Sequence, residues 1–369
     1  MAFVGTHPGL PRLLTGRGPE TVGGAELQLS LLAKALAARG HDVAFGVGGY
    51  DGVTEAHTPE GIRVLPMYRV ASGASWARPL VRPTQLMRGL ARLRAGVYLV
   101  MGAGAQAGLT ACYCRMRGKR FVFWLASDTD ALCHVDGLSR TPRSERWLAL
   151  RGLTWAHAIV AQTQEQARLV REKLGRDATV IGNIWPYRIE LRPPGAEPYA
   201  LWVSNIRPEK RPEMLLDIAK ALPEVAFTMI GGPVRGYEPL YEQIRSRAEE
   251  LSNVRFMGYV PFEETHRWFA DAALFVNTSA VEGFPNTYLQ AWAAGKPVVG
   301  SFDPDGLLAE RGLGRYFRDV PEAVGQIAGL LGDEAACARI GQAALRYVQE
   351  NHSEQAVVAR LEELLVSGW

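Results

Sequence analysis

Cysteine is scarce in this chain: Cys112, Cys114, Cys133 and Cys337 are its whole complement. The close pair Cys112 and Cys114 lacks the two-residue gap of a zinc knuckle, and no second pair follows it. That spacing argues against a structural zinc site and for reduced, mostly buried thiols in a cytosolic protein. No apolar run approaches the roughly 20 residues of a membrane-spanning helix. The N-terminus also lacks the charged-then-apolar layout of a signal peptide, so the expectation is a protein neither secreted nor integral to a membrane. Acid is missing from one long stretch. Between Gly61 and Arg120 there is no aspartate or glutamate, while Arg63, Arg69, Arg88, Arg92, Arg115, Lys119 and other cations fall there. Pro83 to Gly96 reads as a basic amphipathic helix, with Leu86, Leu90 and Leu93 on one side. Two readings stand open for it: contact with an anionic membrane surface, or an ordinary solvated face. Nucleic acid is not expected, because no aromatic-interleaved basic groove accompanies the charge.

What is present is the balance of an ordinary globular protein, with 47% apolar and 21% charged residues, in a chain whose 369 residues are long for one core. Two domains are expected, residues 1–190 and 199–350, followed by a C-terminal helical segment, 351–369. Leu191 to Pro198, rich in proline, reads as the linker. The first half opens with a short strand at Ala2–Gly5, a Gly/Pro-rich loop to Thr21, and Gly23-Gly24 leading into an amphipathic helix. A further strand after Gly40 completes a βαβ unit. Phe121 to Leu125 is a buried strand that delivers Asp128 and Asp130 at its carboxyl end, where α/β domains bind ligands. Either acid is a candidate acceptor contact, Asp128 lying nearer the strand, and helix capping or an Asx turn is the alternative for both. His134 and His157 lack metal-ligand spacing.

The second half starts again with a strand at Tyr199–Val203, followed by Arg207, Lys210 and a helix. Its most informative stretch is Leu274 to Gly300. Leu274-Phe275-Val276 reads as a buried parallel strand, Glu282-Gly283-Phe284-Pro285-Asn286 as a loop, and Thr287 to Ala294 as a helix ended by Gly295. The free N–H groups at Asn286 and Thr287 suit an anion, phosphate above all. Glu282 would repel phosphate and better suits the hydroxyls of a sugar.

That stretch resembles the donor-site signature of the retaining glycosyltransferases of family 4. In its members an acid, seven residues and a second acid surround a Gly-Phe-Gly/Pro-Asn core. Glu282 occupies the first position and Gln290 the second, where an amide replaces the carboxylate and cannot clamp two ribose hydroxyls equally well. The resemblance implies an α/β fold of the GT-B type: two Rossmann-like βαβ domains facing across a cleft, with the C-terminal helix crossing back to the first. It implies that Glu282 contacts the transferred sugar, and that Arg207 and Lys210 reach the donor phosphates. Arg211 is expected to point away. Gly23 and Gly24 would face the diphosphate, Gly258, Tyr259 and Val260 would line the nucleobase pocket, and Gly283, Phe284, Pro285, Asn286, Thr287 and Gln290 would complete the donor site. Asp128, Asp130 and Asn183 would stand on the acceptor side.

The expected activity is transfer of a sugar from a nucleotide diphosphate sugar to a hydroxyl of a glycan or lipid-linked acceptor, with the anomeric configuration retained. Metal and other cofactors are not expected, since Asp128-Thr129-Asp130 has the Asp-x-Asp spelling in the wrong domain. The cytoplasm, or the inner face of its membrane, is the expected location. Two alternatives remain open. One is a GT-B epimerase of nucleotide sugars, which needs an acid–base pair that the sequence does not reveal. The other is a catalytically silent sugar-nucleotide binding subunit, which Gln290 motivates.

Overall fold

The computed structural model describes the chain except residues 6, 8, 16–22, 50–53, 70–77, 132–142, 193–197 and 368–369, and gives the backbone alone for 69, 78–82, 143–145 and 367. Cys133 and His134 therefore lie outside the described residues, as does most of the proline-rich linker. The chain divides into two compact units, Met1–Ile184 with Glu354–Trp369, and Trp185–Ser353.

In the first unit, strands β1 (Ala2–Gly5), β2 (Ala44–Gly49), β3 (Ala56–His57), β4 (Arg63–Arg69), β5 (Val97–Met101), β6 (Arg120–Trp124), β7 (Ala158–Ala161) and β8 (Thr179–Val180) form one sheet. Its order is β3-β4-β2-β1-β5-β6-β7-β8. Every pairing is parallel apart from the β3–β4 edge. Continuous apolar runs produce this, because helices cover both faces of a parallel sheet and no residue of a central strand can be polar without a partner. In β6 the last four residues, Phe121 to Trp124, are all buried. The helices are α1 (Leu10–Thr15), α2 (Gly24–Ala38), α3 (Arg78–Leu93), α4 (Ala105–Arg117), α5 (Asp128–Ala131), α6 (Arg143–Thr154) and α7 (Gln164–Leu174). α1 lies within the stretch expected to be a loop, and its Leu10 and Leu14 are buried.

Of the two readings of α3, the solvated face is the one its packing favours: Leu86, Leu90 and Leu93 are buried in the hydrophobic core of the first unit, so the apolar stripe is already covered. Gly89 lets the helix lie on β4, since a Cβ there would come within 2.8 Å of the Met67 Cα. Arg88 and Arg92 remain on the exposed side, where Arg92 donates to Glu55 at 3.0 Å. Among the described residues no helix is long and apolar enough to cross a membrane.

The second unit holds β9 (Tyr199–Val203), β10 (Ala226–Ile230), β11 (Val254–Gly258), β12 (Leu274–Asn277), β13 (Val298–Gly300) and β14 (Gly314–Tyr316). They form an all-parallel sheet in the order β11-β10-β9-β12-β13-β14. Around it lie α8 (Pro212–Ala221), α9 (Glu238–Glu249), α10 (Phe262–Asp271), α11 (Asn286–Ala293), α12 (Val320–Leu331) and α13 (Glu334–Asn351). The chain winds outward from β9 to β11, then restarts beside β9 with β12, which is the strand order of a dinucleotide-binding domain.

The units divide at Ile184 and Trp185, ahead of the proline-rich segment. Packing explains the position. Ile184 exchanges two hydrogen bonds with the buried Gln28 side chain of α2, at 2.7 and 3.0 Å. The next residue, Trp185, packs its ring against Tyr187, Phe262 and His266 of the second unit. The last helix, α14 (Glu354–Ser367), belongs to the first unit, where Glu362 pairs with Arg39 at 2.7 Å and His41 at 2.8 Å.

Candidate active site

In an open parallel sheet the strand order reverses at one place, and the loops leaving the carboxyl ends there splay apart to leave a crevice. In the second unit that place is between β9 and β12. The loop after β9 carries Arg207 and Lys210 on a single 3-10 turn, Pro208–Lys210, with Pro208 pre-setting the turn. The loop after β12 carries Ser279 and Glu282 and ends in α11, whose first residues are Asn286 and Thr287.

Hydrogen bonds tie the two loops together. The indole N–H of Trp202 donates to the Thr278 hydroxyl at 3.0 Å, and that hydroxyl donates to the Lys210 carbonyl at 2.7 Å. The Ala280 amide donates to the Glu209 carbonyl at 2.8 Å. Across this frame the Lys210 ammonium forms an ion pair with the Glu282 carboxylate, which also accepts the Ser279 hydroxyl at 2.6 Å. Both side chains are largely covered, at 20% and 15% exposure, so their attraction is less screened than that of a surface pair. Arg207 is more open, 40% exposed, and stands 3.7 Å from Glu209. The carboxyl ends of β9 and β12 thus carry the Lys210–Glu282 pair ahead of the N-terminus of α11, with Arg207 and Glu209 on the same loop as Lys210.

The other donor-side residues fall into two groups. Gly258 ends β11 and is followed by Tyr259 and Val260, with Gly258 at φ +64°, a left-handed conformation that favours glycine. Its carbonyl accepts the Gly231 amide at 2.9 Å, and the Tyr259 ring is 41% exposed. Gly283, Phe284 and Pro285 are buried. Phe284 turns its ring inward, 4.8 Å from His352 and 6.2 Å from Trp292, so it anchors the loop and leaves only backbone for a ligand. Gln290 is 3% exposed and donates to the Thr265 hydroxyl of α10 at 2.9 Å, which gives its amide a structural partner.

Arg211 departs from expectation. Its side chain does not point away: the guanidinium donates to the Thr278 carbonyl at 2.7 Å, the Ser279 carbonyl at 3.2 Å and the Ser301 hydroxyl at 2.7 Å. Sequence reasoning missed it because Lys210 next door already explained the motif. Ser279 was missed too, as one of three small polar residues at a strand exit.

In the first unit, Gly23 precedes α2 and carries the Glu26 carboxylate folded over its backbone, while Gly24 is the first helical residue. Asp128 and Asp130 separate clearly. Asp130 is buried and accepts backbone N–H groups from Ala103 at 3.0 Å, Ala126 at 2.7 Å and Ser127 at 3.2 Å. Burial pushes its carboxyl upward against the pull of those three donors. Those three bonds give it a loop-fixing role. Asp128 is half-buried and accepts from the Gln166 amide at 3.0 Å. Asn183 is buried, next to the Ile184–Gln28 pair. His157 accepts the Phe121 amide at its Nδ1, 3.1 Å away, a structural role. Among the described residues no three His, Cys, Asp or Glu side chains gather as metal ligands would.

Two family profiles match successive parts of the chain: "Glycosyltransferase Family 4" over residues 22–184, and "Glycosyl transferases group 1" over residues 197–333. The chain belongs to the family 4 glycosyltransferases. Within this family 4 chain, the second profile contains Arg207, Lys210, Gly258, Glu282 and Gln290, and the first contains Gly23, Gly24, Asp128, Asp130 and Asn183. Among curated proteins, the O-antigen chain mannosyltransferase B of Escherichia coli is 30% identical over 166 residues, which is 44% of this chain and 40% of that protein. The match therefore spans less than half the length of that relative. Solved structures share the GT-B fold at low identity. Sucrose-phosphate synthase from Thermosynechococcus elongatus superposes with a TM-score of 0.80 at 17% identity, covering 99% of this chain and 98% of that one. Anabaena HepE in complex with UDP-glucose gives 0.77 at 17% identity, with 99% of each chain covered.

Proposed function

We propose that this chain transfers a glycosyl group from a nucleoside diphosphate sugar to a hydroxyl of a glycan or lipid-linked glycan, with retention and without a metal ion. The observation that carries the reading is the pairing of Lys210 with Glu282 across the switch point of the second unit, with Arg207 on the same loop as Lys210. When the bond from the sugar to the diphosphate breaks, negative charge grows on the departing oxygen. Fixed cations and helix N–H groups lower the energy of that state without reorganising. Arg207 and Lys210 supply the cations, and the first turn of α11 supplies the N–H groups. Glu282 accepts hydrogen bonds from the sugar hydroxyls and orients the ring. The acceptor oxygen then attacks from the face that the diphosphate leaves, and its proton passes to the departing phosphate oxygen. The likeness to HepE in complex with UDP-glucose and to the O-antigen chain mannosyltransferase B of Escherichia coli supports a nucleotide-sugar donor and a glycan acceptor.

A binding subunit without turnover is the second reading, favoured by Gln290, whose amide is already engaged by Thr265. Purified protein incubated with a panel of nucleoside diphosphate sugars and glycan acceptors separates the two. Transfer or slow donor hydrolysis is expected, with the α or β configuration of the donor preserved in the product by NMR. Glu282→Gln, which keeps an acceptor for Ser279, is expected to lower the rate about 100-fold. Binding with no turnover across the panel would establish the silent reading, and an inverted product would overturn retention.

A further inference from the structure

Arg211 sits in a backbone conformation that a residue with a side chain rarely adopts, φ +45° and ψ +55°. Among the described residues only Arg94 and Asp305 share a positive φ without being glycine. Such strain persists where surrounding contacts over-determine it. Here the contacts are those of the guanidinium, which reaches the exits of two other strands. Nε and Nη2 take the carbonyls of Thr278 and Ser279 after β12, and Nη2 also takes the Ser301 hydroxyl after β13. Ser301 in turn donates to the Ser279 carbonyl at 3.0 Å. The Ser279 carbonyl therefore accepts two donors, from Arg211 and Ser301, while its hydroxyl holds Glu282. Lys210, one residue earlier, pairs with the same carboxylate.

We propose that Arg211 is a positioning residue for the transfer reaction: its guanidinium fixes the Ser279 turn and, through it, the carboxylate of Glu282. This rests on the glycosyltransferase reading for its kinetic consequence, though not for its structural one. A rigid fork explains the residue type. The Arg211 guanidinium spreads its donors over three acceptors in two loops, which a lysine ammonium on a flexible stem does not reproduce.

Two variants test it. Arg211→Gly removes the fork while glycine adopts the left-handed backbone without strain, so the fold is kept. Arg211→Lys keeps the charge and loses the fork. Both are expected to speed amide hydrogen exchange at Ser279 and Ala280 at least tenfold, with exchange in β10 and β11 unchanged. In transfer assays both are expected to lower kcat about tenfold or more with donor KM changed less than threefold. Combining Arg211→Gly with Ser279→Ala should cost little beyond the worse single variant, because both break one chain of contacts. Unchanged exchange at Ser279 and Ala280 would overturn the proposal whatever the activity. Faster exchange with wild-type kcat would overturn the kinetic half and leave the glycosyltransferase reading standing. Wild-type protein that transfers nothing would overturn that reading, and with it the kinetic half alone.

Discussion

Lys210 faces a choice of anions. It pairs with Glu282, and under the proposed function a donor diphosphate would draw it away or share it. That exchange keeps a cation from standing unpaired in a site where both partners are largely covered. The residue-level pattern was partly legible: the spacing of Arg207, Lys210 and Glu282 carried a family signature. The pairing of Lys210 with Glu282 was not, because the two lie 72 positions apart and only the sheet order brings them together. Phe284 and Gln290 sit inside the signature yet turn into packing, a difference that only side-chain direction reveals. Cys114 offers a test of burial at this scale. Its thiol is fully buried and pushed up to about 12 by desolvation. The folded chain thus keeps that proton over a range where the unfolded thiol, near pH 8.5, has lost it. The stability this contributes is fully present below about pH 8.5 and falls as pH rises toward 12. Maleimide labelling at pH 8 read by mass spectrometry is expected to modify Cys114 only after unfolding in urea. Rapid modification of the native protein would show the thiol to be accessible.

Elements were read unevenly. The strand–loop–helix of β12 and α11 stands out because a short apolar strand and a Gly295 stop bracket it. β5, α4 and α6 were not read. β5 follows directly on the arginine-rich α3, whose charge masks a short apolar run of five residues, four of them buried. α4 buries Ala107, Gly108, Thr110, Ala111, Tyr113 and Cys114, too broad a set for a single apolar stripe. Its Gly108 reads as a breaker in the sequence but is a contact in the fold, where a Cβ would overlap the Leu148 carbonyl of α6. The same device joins α13 to the end of α11: a Cβ on Gly341 would overlap the Gly295 carbonyl oxygen. Backbone cannot yield as a side chain can. Gly341→Val is expected to destabilise the protein by about 1–3 kcal/mol, as overpacking does, read as a lower urea midpoint with an unchanged slope. Gly325→Ala, in α12 with open space around it, should not destabilise. Equal midpoints for wild type and Gly341→Val would refute the close approach.

At the scale of the molecule, two Rossmann-like units each restart their strand order beside their first strand, β1 in one and β9 in the other. Two domains were legible from length and from the repeated strand–loop–helix opening. The division at Ile184 was not, because it depends on which core accepts Trp185, and proline marks stiffness rather than allegiance. The fold is shared over nearly the whole chain with the solved structures, while identity stays at 17% for the two described. Specific chemistry must therefore be tested in this chain. The most direct test is a crystal structure with a nucleoside diphosphate sugar bound. The account predicts the diphosphate within about 3 Å of Arg207, Lys210 and the first amides of α11, with the sugar against Glu282. A donor bound elsewhere, or phosphates turned away from both cations, would contradict it.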